Sequence, residues 1–226
     1  MWHQAVRRTL VAAACANIAL AGCASPPASK PEDWLSGPVV GYRLISKDDF
    51  QAEDSGDLWG NVYHGAEICI QIVPTEDHDQ TGAFRAVMKP ECSFWNEAVG
   101  PIGSLGGLAG TSIIPGVPTP QPEWYVLQHE QIHFAIMEVA ARRLSASLAE
   151  VSASDRTHSK VESAYRLTLS HAAERHRNFD AATSGTFDPN QLAIWVRLLE
   201  TEMRRLCGKE AHCWVRHRNP LGWGDG

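Results

Sequence analysis

The stretch VLQHEQIHFAIMEVAARRL, residues 126–144, decides the fold of this chain, because its apolar residues recur at the three- and four-residue spacing of a helix. Pro122 suits a first helical turn, and Glu123 complements the positive end of the helix dipole. Apolar residues continue at the same spacing to Leu148. The sequence therefore predicts a long helix that begins near Pro122 and ends near Leu148.

Two more helices are predicted after this one. The second starts near Asp155 or Thr157, either of which can act as its cap, and the third runs from about Pro189 to Leu206. The apolar stripe predicted for the second helix consists of Val161, Tyr165, Leu169 and Ala172. The inward residues predicted for the third helix are Leu192, Trp195, Leu198, Leu199 and Met203.

The chain before the first helix has the pattern of short strands. Residues 39–46, 58–73 with a turn at Gly65, and 83–89 are partly alternating and are bounded by Gly, Pro, Asp or Asn. Residues 100–122 contain six glycines and five prolines, which predicts a long loop of the kind that more often serves a function. Strands followed by helices predict an α+β fold, with a small N-terminal antiparallel sheet followed by a bundle of about three helices.

The N-terminus has the pattern of an export signal. Residues 1–22 combine two arginines with an apolar run that is shorter than the roughly 20 residues of a transmembrane helix. The sequence Leu20-Ala21-Gly22-Cys23 resembles the lipobox of bacterial lipoproteins, which implies a lipid on Cys23 and attachment to the membrane, at its periplasmic face or the cell surface. We expect a flexible tether over residues 23–33 and a single domain over residues 34–226.

The charge of the chain argues against nucleic acid as a partner. Loss of residues 1–22 removes two arginines and no acidic residue, which leaves 18 basic against 26 acidic residues and a formal charge of −8. Nucleic-acid binding requires a basic face.

Four cysteines remain in the exported chain besides Cys23. An even number in an oxidising compartment predicts two disulfides. Local pairing favours Cys69 with Cys92 and Cys207 with Cys213, although four cysteines allow three connectivities. A zinc site made of all four thiolates is disfavoured because no Cys-x-x-Cys spacing is present.

Within the predicted first helix, two histidines have the spacing of a metal site. At about 100° per residue, His133 lies only about 40° round from His129 and one turn along, so both imidazoles can meet one ion. Glu130 is displaced by about 100°, which places its carboxylate beside the metal. This is the pattern of His-Glu-x-x-His zinc peptidases, in which the glutamate removes a proton from the attacking water. The alternative is a solvated polar face on a packing helix.

Three stretches of the sequence resemble one protein family. HEQIHF at residues 129–134, followed by Ile136, Glu138, Ala141 and Arg142, resembles the HEQxHFDIxExxAR signature of an uncharacterised family of predicted secreted bacterial zinc-dependent proteases of the zincin class. Residues 179–186, with Trp195 beyond them, resemble that family's YDxxTxHG block, and Ser93-Phe94-Trp95 is similar to its serine-tryptophan strand. The chain departs from the family pattern at Ala135, Phe179 and Gly185.

Catalytic zinc usually has three protein ligands, so a third is needed. Glu138 is excluded because it lies about 180° round the helix from His129, and it is expected to pair with Arg142 at the helix surface. An antiparallel second helix would return to the metal at residues 171–180. The candidates in that window are His171, Glu174, His176 and Asp180. Asp180 is preferred because it matches a position in the family block, and His176 is next.

A further candidate for the third ligand lies outside that window. Asp188 resembles the ligand of the GTxD motif in aspzincins.

Together these features favour a lipid-anchored zinc metallopeptidase of the bacterial envelope. It would hydrolyse peptide bonds of a peptide or protein substrate through a zinc-activated water, with Glu130 as general base. The alternative is a non-catalytic structural or binding lipoprotein with a degenerate zincin fold. The presence of Glu130 favours the enzyme.

Overall fold

The structure, a computed structural model, describes residues 38–52, 66–75, 82–95, 123–183, 188–208 and 213–217. In these residues five short strands precede three helices, which confirms the predicted α+β fold. The strands are β1 (Val40–Gly41), β2 (Ala66–Glu67), β3 (Ile70–Pro74), β4 (Phe84–Met88) and β5 (Phe94–Trp95). The helices are α1 (Glu123–Ala149), α2 (His158–Thr183) and α3 (Pro189–Cys207).

The strands form two small antiparallel sheets. One has the order β1-β4-β3, with Val40 opposite Met88 and Ile72 opposite Ala86. The other pairs β2 with β5.

The predicted strand over residues 39–46 is wrong beyond Gly41. There the chain bends and forms a 3₁₀ turn at Lys47–Asp49. The Asp49 carboxylate accepts hydrogen bonds from the Ser46 backbone N–H, at 2.8 Å, and from the Arg43 guanidinium, at 3.0 Å. These hydrogen bonds stabilise a turn where the sequence predicted an extended strand.

The strand predicted after the Gly65 turn, within residues 58–73, is also divided, whereas residues 58–65 with that turn lie outside the described residues. Its described part forms β2 and β3, and the break falls at Cys69, whose backbone N–H donates to the Ser93 hydroxyl at 2.9 Å.

The three predicted helices are all present, and both ends of α1 and of α3 lie within one residue of the predicted positions. Helix α2 begins directly after Thr157, one of its two predicted caps, and no end was predicted for it. The whole stripe predicted for α2 is buried. On α3, the prediction that Leu198 faces inward is wrong, because 46% of its surface is exposed. Val196 takes the inward position instead, since Leu192, Val196 and Leu199 follow the four- and three-residue steps of one helical face.

The chain forms two compact units. The described residues of the first fall within Met1–Tyr42, Ile70–Lys89 and Phe134–Asn178. Here side chains of the helices hold the backbone of the three-stranded sheet: Glu138 accepts from Ala86 N–H at 3.0 Å, and the Tyr165 hydroxyl donates to Ile72 O at 2.8 Å. Glu138 pairs with Arg142 as predicted, at 2.7 Å, but the expected surface location is wrong because Glu138 is buried.

The described residues of the second unit fall within Arg43–Cys69, Pro90–His133 and Phe179–Gly226. Both disulfides favoured by the sequence, Cys69–Cys92 and Cys207–Cys213, are present in this unit. Gln131, fully buried on α1, donates to Arg43 O at 3.0 Å and accepts from Ile45 N–H at 2.9 Å. This side chain therefore holds the segment before the 3₁₀ turn against α1.

Several predictions fall on parts of the chain outside the described residues. They are the signal over residues 1–22, the lipid site at Cys23, the tether over residues 23–33, the glycine- and proline-rich loop, and Gly185. None of the helices described above has the length and apolar character that crossing a bilayer requires. The prediction of one domain over residues 34–226 stays a prediction.

Candidate metal centre

Helix α1 presents its two histidines to a common point, as the spacing predicts. The Nε2 atoms of His129 and His133 lie 3.1 Å apart, and both side chains are mostly buried. One ligand atom from each of His129, Glu130 and His133 lies within 4.8 Å of the others, which forms a group that could hold a metal ion. The His-Glu-x-x-His pattern is therefore one site in space.

The end of α2 brings a carboxylate to the same point. Asp180 Oδ1 lies 3.0 Å from His133 Nε2 and 3.5 Å from His129 Nε2. The two Nε2 atoms are themselves 3.1 Å apart. The three donor atoms therefore form a triangle with edges of 3.0, 3.1 and 3.5 Å. Tetrahedral zinc with bonds of about 2.0–2.1 Å has donors about 3.3 Å apart. The triangle fits one such ion.

The charge on Asp180 also suits a cation. Burial by itself would raise the pKa of this carboxyl, but hydrogen bonds with His129 and His133 and their positive charge outweigh it and hold the pKa well below its usual range. Asp180 therefore stays ionised at neutral pH and offers a negatively charged oxygen.

Glu130 lies in a different environment. Burial, followed by the negative charges of Asp180 and Glu67, raises its pKa well above the usual range, and a hydrogen bond from the Ile68 backbone opposes this. A carboxylate with a raised pKa is a stronger base than a carboxylate with the ordinary pKa. A divalent cation near Glu130 would favour its ionised form. The Ile68 N–H also fixes the direction in which the carboxylate points.

Sequence reasoning gave no role to Phe179, which forms an aromatic floor below the histidines. Phe179 is fully buried, with its ring centroid 4.5 Å from that of His129 and 4.9 Å from that of His133. Trp195 on α3 also contacts Phe179, with the ring centroids 5.3 Å apart. Trp195 is half-buried, so its predicted place in the core is wrong. Although Phe179 directly precedes Asp180, adjacent helical residues point about 100° apart, so the prediction for Asp180 did not indicate the position of Phe179.

The other candidates for the third ligand differ in their exposure and contacts. His171 and Glu174 are exposed on α2, whereas His176 is buried. Asp188 is the N-cap of α3, and its carboxylate accepts from the backbone N–H groups of Asn190 and Gln191 at 3.0 and 3.1 Å. Asp180 is the candidate that contacts both imidazoles.

Comparison with known proteins gives no match for this chain among family models, curated proteins or solved structures. The resemblance to the predicted secreted proteases therefore rests on the motifs alone, and membership of that family stays a prediction.

Proposed function

We propose that this protein is a zinc-dependent metallopeptidase in which His129, His133 and Asp180 hold the metal and Glu130 is the general base. The observation that carries this proposal is the triangle of donor atoms with edges of 3.0, 3.1 and 3.5 Å. Glu130 also belongs to the group that could hold the ion, within which the ligand atoms lie no more than 4.8 Å apart. The oxygen of Asp180 lies 3.0 Å from His133 Nε2 and 3.5 Å from His129 Nε2, which are distances suited to two ligands of one ion. Asp180 therefore fits the position of third ligand, which leaves Glu130 free to exchange protons.

Zinc, when bound, supplies Lewis acidity that lowers the pKa of a water molecule and polarises a carbonyl. Glu130 accepts the proton as the water oxygen bonds to the substrate carbonyl carbon, and then gives it to the leaving nitrogen as the C–N bond breaks. The Ile68 backbone N–H holds the Glu130 carboxylate for this transfer. Phe179 keeps both imidazole rings in place.

We also propose that the protein acts in the bacterial envelope on a peptide or protein. This part of the proposal rests on the sequence of residues 1–23, in which the apolar run and Leu20-Ala21-Gly22-Cys23 indicate export and lipid attachment.

The test is the zinc content and the proteolytic activity of the full chain, purified in detergent without chelator, with unfolded casein as substrate. We expect about one zinc per chain. His129→Ala and Asp180→Ala should lose zinc, because each removes a ligand. Glu130→Gln should retain zinc and lose at least about 100-fold in rate, since general-base catalysis contributes that much or more. His171→Ala, an exposed histidine on α2, is the matched control and should change neither.

Wild-type zinc content far below one per chain would overturn the proposal. Loss of zinc from Glu130→Gln, with zinc retained in Asp180→Ala, would show that Glu130 is the ligand. Zinc binding with no hydrolysis of any peptide by the wild-type chain would favour the non-catalytic lipoprotein.

A further inference from the structure

Thr183, the last residue of α2, contacts the imidazole of His129 on the side away from the proposed metal. Its hydroxyl oxygen lies 3.4 Å from His129 Nδ1, the ring nitrogen opposite the one that faces His133 and Asp180. The side chain is 1% exposed, so water does not compete freely for this contact. A group in this position can decide which nitrogen of His129 carries the proton.

The direction of the hydrogen bonds follows from the number of protons available. A threonine hydroxyl has one proton, and that of Thr183 is directed at Phe179 O, 2.8 Å away. Only lone pairs of the oxygen then remain for His129. The contact is favourable when Nδ1 of His129 is protonated, because the Nδ1–H group then donates a hydrogen bond to the hydroxyl oxygen of Thr183.

We propose that Thr183 is a positioning residue that holds neutral His129 in the Nδ1–H tautomer, which leaves the Nε2 lone pair free for the metal. This inference rests on the proposed function for its purpose, but the tautomer exists without metal. Thr183 acts through His129 and does not itself touch the reacting atoms.

The backbone of Thr183 is held in place by Tyr125, which lies one turn before His129 on α1. The Tyr125 hydroxyl donates to Thr183 O at 3.5 Å and accepts from Asp188 N–H, at the start of α3, at 3.3 Å. This hydroxyl therefore connects the end of α2 to the N-cap of α3. The Thr183 side chain is kept beside His129 as a result.

Asp180 favours the opposite tautomer in the absence of metal. Its carboxylate lies 3.5 Å from His129 Nε2, where it would attract a proton. The preference set by Thr183 is therefore measured most clearly after Asp180 is removed. Metal binding has the reverse effect, because a cation at Nε2 excludes a proton there and strengthens the bond from Nδ1–H to Thr183.

The first experiment measures zinc affinity of the full chain by competition with a chelator. Thr183→Val removes the hydroxyl at nearly constant volume, and we expect about tenfold weaker binding, the lower end of the range for such partners, because the contact is long. Thr183→Ser should restore the affinity. The matched control is Thr168→Val on the same helix, since the Thr168 hydroxyl makes the same 2.8 Å bond to the carbonyl four residues back. We expect no change from it.

The second experiment uses metal-free protein and detects the histidine tautomer by ¹⁵N NMR. In Asp180→Ala, neutral His129 should be mainly Nδ1–H, and Asp180→Ala/Thr183→Val should shift it towards Nε2–H. Wild-type protein that binds no zinc would defeat the proposed function, while this shift would still support the role of Thr183. No shift in tautomer, or equal zinc affinity in wild type and Thr183→Val, would overturn the inference.

Discussion

At the scale of single residues, Glu130 and Asp180 are two carboxylates in one site whose surroundings move their pKa values in opposite directions. Burial and two neighbouring negative charges raise the pKa of Glu130, whereas the two imidazoles overcome the effect of burial and lower that of Asp180. Such a separation is a common way to divide roles between two acids. It matches a proton acceptor at Glu130 and a permanently charged donor atom at Asp180.

Asp49 carries a prediction about pH at the same scale. Burial would raise its pKa, but hydrogen bonds from Arg43 and Ser46 outweigh burial and lower it. A carboxyl with a lowered folded pKa contributes stability that is complete above its unfolded pKa of about 3.9 and is lost as pH falls through the folded value. At pH 7, Asp49→Asn should reduce the free energy of unfolding by about 1 kcal/mol.

Urea unfolding at several pH values tests this. The difference between Asp49→Asn and wild type should be constant from pH 7 to about 5 and should shrink below about pH 4. Asp48→Asn, at the exposed neighbouring position, is the control and should change the stability by less than about 0.5 kcal/mol. A difference that grows as the pH falls would contradict the prediction.

At the scale of elements, α1 is attached to β4 by the buried carboxylate of Glu138. Glu138 accepts both from Arg142 and from the Ala86 backbone N–H. Glu138→Ala leaves the Ala86 N–H without its acceptor and removes the pair with Arg142, so we expect a loss of about 2–3 kcal/mol in the free energy of unfolding. Glu162→Ala breaks a pair of the same spacing with exposed Arg166, at 2.6 Å, and should cost no more than about 0.5 kcal/mol. Equal losses in the two variants, measured by urea unfolding, would contradict this.

The elements also show how far the sequence predicts the structure. Helical periodicity is a local property, so the ends of α3 and the buried stripe of α2 follow from it. The strand predicted beyond Gly41 failed because the Asp49 carboxylate bonds to Ser46 and Arg43, which apolar alternation does not reveal.

The metal centre could likewise be predicted only in part. His129 and His133 are close in sequence. An antiparallel return of α2 predicts the window of residues 171–180, and the resemblance to the family block favours Asp180 within it, the residue that contacts both imidazoles. The aromatic floor at Phe179 and the contact of Thr183 depend on the register between two helices, which a single sequence does not specify.

At the scale of the whole molecule, two covalent cross-links constrain the chain over different lengths. Cys69–Cys92 spans 23 residues and Cys207–Cys213 spans 6. Loop-closure entropy predicts that removing the first, by Cys69→Ala/Cys92→Ala, lowers the free energy of unfolding by about 3 kcal/mol, and removing the second by about 2 kcal/mol. Thermal unfolding of the two double variants measures the difference. A greater loss from the shorter loop would show that native packing at Cys207 and Cys213 outweighs chain entropy.

The three donor atoms come from residues that are well separated along the chain, His129 and His133 on α1 and Asp180 near the end of α2. An ion held by all three atoms binds the folded chain and has no equivalent site in the unfolded one. Each tenfold rise in free zinc above the dissociation constant would then add about 1.4 kcal/mol to folding. If the site binds zinc as proposed, the supply of metal around the protein would be part of its folding equilibrium, and a chain without zinc would unfold and be degraded more readily.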